Sequence, residues 1–248
     1  MTRRLVFRLP LLLVIGIGMA AVVPTLAQTP EQASPVEQSP AAEQVQTALA
    51  IVYKPGLRGA PGGRVGGASR SAAAPSMPLP IIELLAPADH AGMTASPEPT
   101  LYFFISRPVQ WPMQFTISAP MRPVPIIEVT IPSPTAAGIY ALPATAYNFR
   151  LQPGIVYTWS VSIILEPRAW SRNIVASATI MSDPTLAPAF PTSTPLQRAI
   201  HFAQAGLWYD AVAEAGAREP GRRMALDALM RQVGLTVAVA HDRGKETQ

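Results

Sequence analysis

Between Leu79 and Ser182 the apolar runs are short, and proline, glycine, serine or asparagine stands at most of their ends. A helix that buries one face needs about 10–12 residues without an internal proline, so this punctuation leaves β-structure as the way to bury the runs. The candidate strands are IIELLA (81–86), TLYFFIS (100–106), QFTISA (114–119), PIIEVTI (125–131), YNFRLQ (147–152), IVYTWSVSIIL (155–165) and NIVASATIM (173–181). Their period is two. In the run 155–165, Tyr157, Trp159, Val161, Ile163 and Leu165 share one face, and Thr158, Ser160 and Ser162 the other. In the run 173–181, Ile174, Ala176, Ala178 and Ile180 alternate with Val175, Ser177 and Thr179. Proline in the connections also blunts strand ends, because it has no amide to give to a ladder.

Seven strands at this spacing predict two packed antiparallel sheets over 79–182. LQPGIVYTW sharpens the expectation. Leu151, the Pro153-Gly154 turn and then Tyr157 and Trp159 have the spacing of a tyrosine corner, in which a strand tyrosine bonds back to upstream backbone. The expected fold is therefore mainly β, an immunoglobulin- or fibronectin-III-like sandwich. Tyr157 and Trp159 are its structural residues.

The flanks have other periods. A Pro/Thr-rich connection (183–195) leads to a helical region (196–235). There Leu196, Ile200, Ala203 and Leu207 fall on one helix face, and Gly206 interrupts. Trp208, Val212 and Ala215 start a second short helix ending at Gly216, and Pro220 opens a third that stops at Gly234. One such helical hairpin cannot bury its own apolar face, so it is expected to dock on the sandwich through Trp208 and Tyr209. Residues 236–248 read as a flexible tail.

At the other end, Arg3, Arg4 and Arg8 precede thirteen apolar residues, Leu11 to Val23, and small residues before Gln28. Basic, apolar and small residues in that order form a secretory signal peptide, 1–27, with cleavage expected after Ala27. The rival reading is an uncleaved anchor, although the run is shorter than the about 20 residues a span needs. Residues 28–45 are polar, proline-containing and free of aromatics, which predicts a disordered linker. The chain has no cysteine, so it has no disulfide and no lipid-modified cysteine. The expected location is periplasmic or extracellular, in a bacterial envelope, with no stable membrane span after cleavage.

Without residues 1–27, the 19 basic residues fall to 16 against 15 acidic ones, a net charge of +1. No global field remains to collect nucleic acid, and none is expected as a partner. Basic character is local. Within 46–78, YKPGLRGAPGGRVGGASR holds six glycines and sets Arg58, Arg64 and Arg70 at six-residue intervals. Glycines let backbone approach a partner and form anion-holding concavities, and arginine adds bidentate donors for carboxylate or phosphate. Arg58, Arg64, Arg70, Gly62 and Gly63 are the candidate partner-binding residues, with an envelope protein or an anionic glycan as partner. The bland alternative pairs the same arginines with the protein's own carboxylates and carbonyls.

The segment RGAPGGRVG, with LAPADHAGMTASPEPTLYFFIS, LQPGIVYTWSVSII and GLWYDAVAEA, resembles the bacterial family DUF928 over roughly residues 50–235. Ser69 stands where that family usually has threonine, and a cysteine often found shortly afterwards is missing. The resemblance implies export and brings no assigned activity.

Catalytic patterns are sparse. His90, His201 and His241 have no metal-ligand spacing, and there is no G-x-S-x-G elbow and no nucleotide-binding glycine fingerprint. Asp89 beside His90 reads as a turn rather than an acid–base pair, and Asp210 as a charge at a helix start. Glu83, Asp89, Glu98, Glu128 and Glu166 are scattered over strand ends and turns, whereas a glycosidase needs two carboxylates about 5–10 Å apart. No cofactor, metal or catalytic residue is therefore expected. The expected function is a non-enzymatic binding or interaction module. The alternative is an accessory domain of a carbohydrate-active or envelope enzyme system.

Overall fold

The computed structural model describes residues 51–56, 65–66, 78–189, 193–216 and 220–240. All belong to the unit Gln38–Gln248. The expected signal peptide and linker lie outside the described residues.

The described residues form nine strands: β1 (Val65–Gly66), β2 (Ile82–Leu84), β3 (Gly92–Thr94), β4 (Thr100–Ile105), β5 (Met113–Ser118), β6 (Ile127–Ile131), β7 (Gly138–Pro143), β8 (Val156–Ile163) and β9 (Ile174–Ser182). They form a four-stranded sheet, β1-β2-β4-β7, and a five-stranded sheet, β3-β9-β8-β5-β6. Pairing is antiparallel except between β3 and β9, where Gly92 faces Ile180 in parallel register. The period-two reading places the core. Tyr157, Trp159, Val161 and Ile163 are buried along β8, and Ile174, Ala176, Ala178 and Ile180 along β9. They share one apolar cluster with Leu84, Leu101, Phe103 and Ile105 of the other sheet.

Three strands escape the sequence pattern, and one expected strand is absent. β7 pairs with β4 over six residues but is an edge strand that buries only Leu142, so its alternation is faint. β1 and β3 are too short to show a period. Residues 147–152 are not a strand. A 3₁₀ turn over Ala144–Tyr147 closes on Asn148 in the left-handed region, φ 50°. The Leu151 amide then bonds to the Pro97 carbonyl rather than to a neighbouring strand. The alternation read there reflects Phe149 and Leu151 turning inward from a loop.

The helices follow their local signals. In α1 (Pro195–Gln204), Thr194 and Gln197 bond reciprocally as a capping box ahead of Pro195. Its end is a Schellman turn, with the Leu207 amide bonding to the Phe202 carbonyl and the Gly206 amide to that of Ala203. Gly206 sits at φ 78°, a conformation that disfavours any side chain. α2 (Trp208–Ala215) follows at once. Arg198 on α1 holds Glu214 on α2 through two hydrogen bonds of 3.0 and 2.9 Å. α3 (Pro220–Gln232) ends in the same way at Gly234, φ 70°, with the Leu235 amide bonded to the Met230 carbonyl.

The flexible tail expected from 236 needs correction over its first part. Residues 236–240 are helical, and Ala238 and Val239 are buried. The buried carboxylate of Glu83 on β2 accepts the Ala238 amide at 2.9 Å and so satisfies the start of this helix from across the fold.

Gly206 is required both by its φ and by its neighbours. A Cβ there would lie 2.8 Å from the Lys54 carbonyl oxygen. Gly206→Ala should cost about 1–2 kcal/mol for the left-handed backbone alone. In a thermal melt of a unit this size this is a fall of about 2–8 °C. An unchanged melting temperature would show that residue 206 does not hold the left-handed conformation that ends α1.

Candidate functional site

The described polar groups that resemble chemical machinery lie where the sheets, the helices and residues 51–56 meet. α2 packs on β3 and β4. Its first two residues are fully buried and bond in different directions. Trp208 Nε1 donates to the Leu85 carbonyl at 2.8 Å, just after β2. The Tyr209 hydroxyl accepts from Trp159 Nε1 at 2.9 Å and donates to the Thr179 carbonyl at 3.2 Å, on β8 and β9. Burial pushes the Tyr209 phenol well above the ordinary tyrosine value. Gly92 lies under this ring, and a Cβ there would be 2.5 Å from Tyr209 Cε2.

Residues 51–56 cross the same region. Gln232 on α3 receives the Tyr53 amide at 2.8 Å and donates to the Ile51 carbonyl at 3.0 Å. The Lys54 amide bonds to the Ala203 carbonyl at the end of α1. The Tyr53 ring stands edge-on to Trp208, centroids 5.0 Å apart, and is stacked on His90 at 5.7 Å. Its hydroxyl is 2.8 Å from His90 Nε2, and His90 Nδ1 is 2.7 Å from Asp89 Oδ1. A carboxylate only accepts, so Nδ1 carries a proton, and in the neutral ring Nε2 accepts from the Tyr53 hydroxyl. Burial, with the Asp89 charge second, holds the Tyr53 phenol well above its usual value. The Asp89-His90 pair thus has a partner that sequence spacing does not show, because Tyr53 is 37 residues from His90. The chain of bonds runs from the largely exposed Asp89 carboxylate to the buried Tyr53 phenol.

Asp210 sits in the first turn of α2, where its carboxylate accepts the Ala95 amide at 2.9 Å. Burial raises its pKa, against the lowering effect of the hydrogen bonds it receives. The other carboxylates have separate partners. Glu98 meets Arg150 at 3.4 Å, Glu128 accepts from Gln114 at 2.8 Å, and Glu166 accepts the Arg168 amide. Of the aromatics near the expected loop, Phe104 is core, while Tyr102 and Trp111 are half-buried.

Arg58, Arg64, Arg70, Gly62 and Gly63 lie outside the described residues. Their segment is described on either side of Arg58 to Arg64: residues 51–56 as above, and β1, whose Val65 and Gly66 pair with Glu83 and Ile82 at the edge of the four-stranded sheet. Tyr157 is buried, and its hydroxyl accepts the Gln152 amide at 3.3 Å, next to Leu151.

A different character appears where β5 ends and β8 begins. There a cavity of about 700 Å³ is lined by Ala119, Arg122, Ile126, Gln152, Gly154 and Tyr157, among others. Two turns border it. In Gln152-Pro153-Gly154-Ile155 the Ile155 amide bonds to the Gln152 carbonyl, and Gly154 takes φ 76°. In Ala119-Pro120-Met121-Arg122 the Arg122 amide bonds to the Ala119 carbonyl, and Met121 takes φ 58°. A turn with proline second and positive φ third wants glycine in that third position. The first turn has it; the second carries a methionine whose side chain is fully exposed. Arg122, Pro123 and Val124 are exposed as well, Val124 at 71%. Residues 119–126 carry no motif. Pro120 marks a turn in sequence, but nothing there shows that Met121 adopts the strained conformation.

Two substitutions test the seam. Tyr209→Phe leaves buried Trp159 Nε1 without its acceptor and should cost about 1–3 kcal/mol, read as a lower melting temperature. Asp210, with its pKa raised by burial, stabilises the fold most below about pH 4, and that share is lost as pH rises through the folded value. Asp210→Asn should flatten the stability curve in that window.

A family model described as Domain of Unknown Function (DUF928) matches residues 65–242. No curated protein and no solved structure matches the chain. The matched span starts at β1 and takes in both sheets, α1 to α3, the Trp208–Tyr209 seam and the β5–β6 hairpin. The chain belongs to the DUF928 family.

Proposed function

We propose that the chain is an exported, non-enzymatic interaction module of a bacterial envelope, and that the β5–β6 hairpin with its adjoining groove is a binding face. The strand order supports an immunoglobulin-like frame for it. β2-β4-β7 in one sheet and β6-β5-β8-β9 in the other follow the order A-B-E and C′-C-F-G. Tyr157, at the start of the strand equivalent to F, bonds to upstream backbone as a tyrosine corner would. Export rests on residues 1–27, and an envelope protein or anionic glycan remains the proposed partner of the arginines at 58, 64 and 70.

The observation that carries the hairpin reading is Met121. A non-glycine residue in the left-handed region costs about 1–2 kcal/mol. Strain of this kind persists where surrounding structure imposes it, and it gathers at functional sites. Met121 makes no compensating contact within the fold, since its side chain is fully exposed. A methionine that strains the backbone and stabilises nothing internally is explained by something it touches outside.

Met121→Gly separates the two roles. It relieves the strain, so the melting temperature should hold or rise, within the about 1 kcal/mol that glycine costs through the unfolded chain. Sedimentation with isolated bacterial envelopes should nevertheless fall several-fold. Parental binding by Met121→Gly and by a Met121→Asp, Val124→Asp double variant would remove the hairpin from the binding face.

A further inference from the structure

Four consecutive exposed residues, Met121 to Val124, form the hairpin tip, with an arginine and a proline between two apolar side chains. Residues 119–126 contain no acidic residue. The nearest downstream carboxylate, Glu128, is already bonded to Gln114. Arg122 is also the charged residue lining the adjoining cavity. The tip is thus apolar at its extremity and cationic immediately beside it.

The two features narrow the partner. A rigid protein surface accepts a projecting methionine and valine through a hole shaped for them. The boundary of a bilayer deforms around them and needs no such hole. It also places phosphates within reach of a cation set beside inserted apolar groups. Charge complementarity selects an anionic lipid over a neutral one, because one exposed arginine with no acidic neighbour in the tip is attracted to an anionic surface and gains little from a neutral one. We propose that the β5–β6 tip docks on an anionic phospholipid surface, with Met121 and Val124 below the phosphates and Arg122 paired with one. The inference rests on the hairpin being a binding face and names the partner of that face. Two apolar side chains and one cation give weak, reversible and salt-sensitive binding.

The apolar run Leu11–Val23 would itself bring the full chain to lipid, so the readout must be local to the tip. The chain has no cysteine, which makes a single introduced one a unique label site. Val124→Cys in the full chain carries an environment-sensitive dye. Val175→Cys is the control, because Val175 is also exposed and pairs with Ser162, six residues along β8 from Val156 and about 20 Å away. Vesicles contain phosphatidylcholine alone or with phosphatidylglycerol, and brominated acyl chains act as quencher.

The expected result is a blue shift and quenching at position 124 with anionic vesicles, and neither at 175. Arg122→Ala in the Val124→Cys background should weaken the anionic response about fivefold. Met121→Asp should weaken it about tenfold or more. A dye at 124 that is unquenched while the protein sediments with the vesicles overturns the proposal, as does equal quenching at 175. If Met121→Gly loses envelope binding but the dye at 124 never senses lipid, the occupant is a protein or a glycan. The lipid assignment then falls while the binding face stands. If the hairpin variants bind envelopes like the parent, both fall.

Discussion

Two adjacent aromatic residues at the start of α2 set the geometry of the rest. Trp208 and Tyr209 are large, fully buried and each obliged to satisfy a polar atom. Neighbouring residues on a helix point in different directions, so one helix start serves two sheets. The Trp208 indole reaches the carbonyl after β2, and the Tyr209 hydroxyl bridges the Trp159 indole on β8 and a carbonyl on β9. A buried indole N–H without an acceptor costs about 1–3 kcal/mol, so the spacing of the two sheets and the depth of the helix are fixed together. Gly92 is the steric counterpart, because only a residue without Cβ lets β3 pass under the Tyr209 ring.

Residues 51–56 extend this arrangement. Tyr53 lies between His90 and Trp208, and Gln232 binds the backbone on both sides of Val52, at the Ile51 carbonyl and the Tyr53 amide. Gly206 leaves room for the Lys54 carbonyl. The helices and both sheets consequently contribute to one apolar cluster. Residues with chemical potential are used in this seam. The Asp89-His90-Tyr53 chain has the bonding order of a proton relay, yet its inner end is a buried phenol pressed against an indole. At the β5–β6 tip the fold presents Met121, in the left-handed region, and Val124 as exposed apolar side chains.

Local signals were legible where the physics is local. Gly206, Pro220 and Gly234 mark helix ends and starts because capping and left-handed stops depend on the residue at that position, whereas Thr194 and Pro195, which cap α1, read as part of the connection. The inward alternation of β8 and β9 was legible because both strands are long and packed on one face. β7 was not, since an edge strand buries little, and residues 147–152 imitated a strand because a loop can also turn alternate side chains inward. Long-range pairings leave no sequence trace. Nothing in the spacing of Tyr53 and His90, or of Glu83 and Ala238, shows that they meet. The strain at Met121 is equally silent, because proline before a residue is compatible with more than one turn. The arginine pattern at 58, 64 and 70 was the most visible feature of the sequence, and of that segment the structure describes Tyr53 to Gly56, in the seam, and Val65 and Gly66, against β2.

If Trp208 and Tyr209 tie both sheets and the helices into one unit, α2 cannot open without unfolding the sandwich. Native-state amide hydrogen exchange tests this most directly, because it reports the opening free energy of each element separately. The amides of α2 should exchange only through the global unfolding that also releases β8 and β9, with the same dependence on denaturant. Exchange of α2 at markedly lower free energy, with β8 and β9 still protected, would contradict the account and make the helices a separate layer resting on an independently stable sandwich.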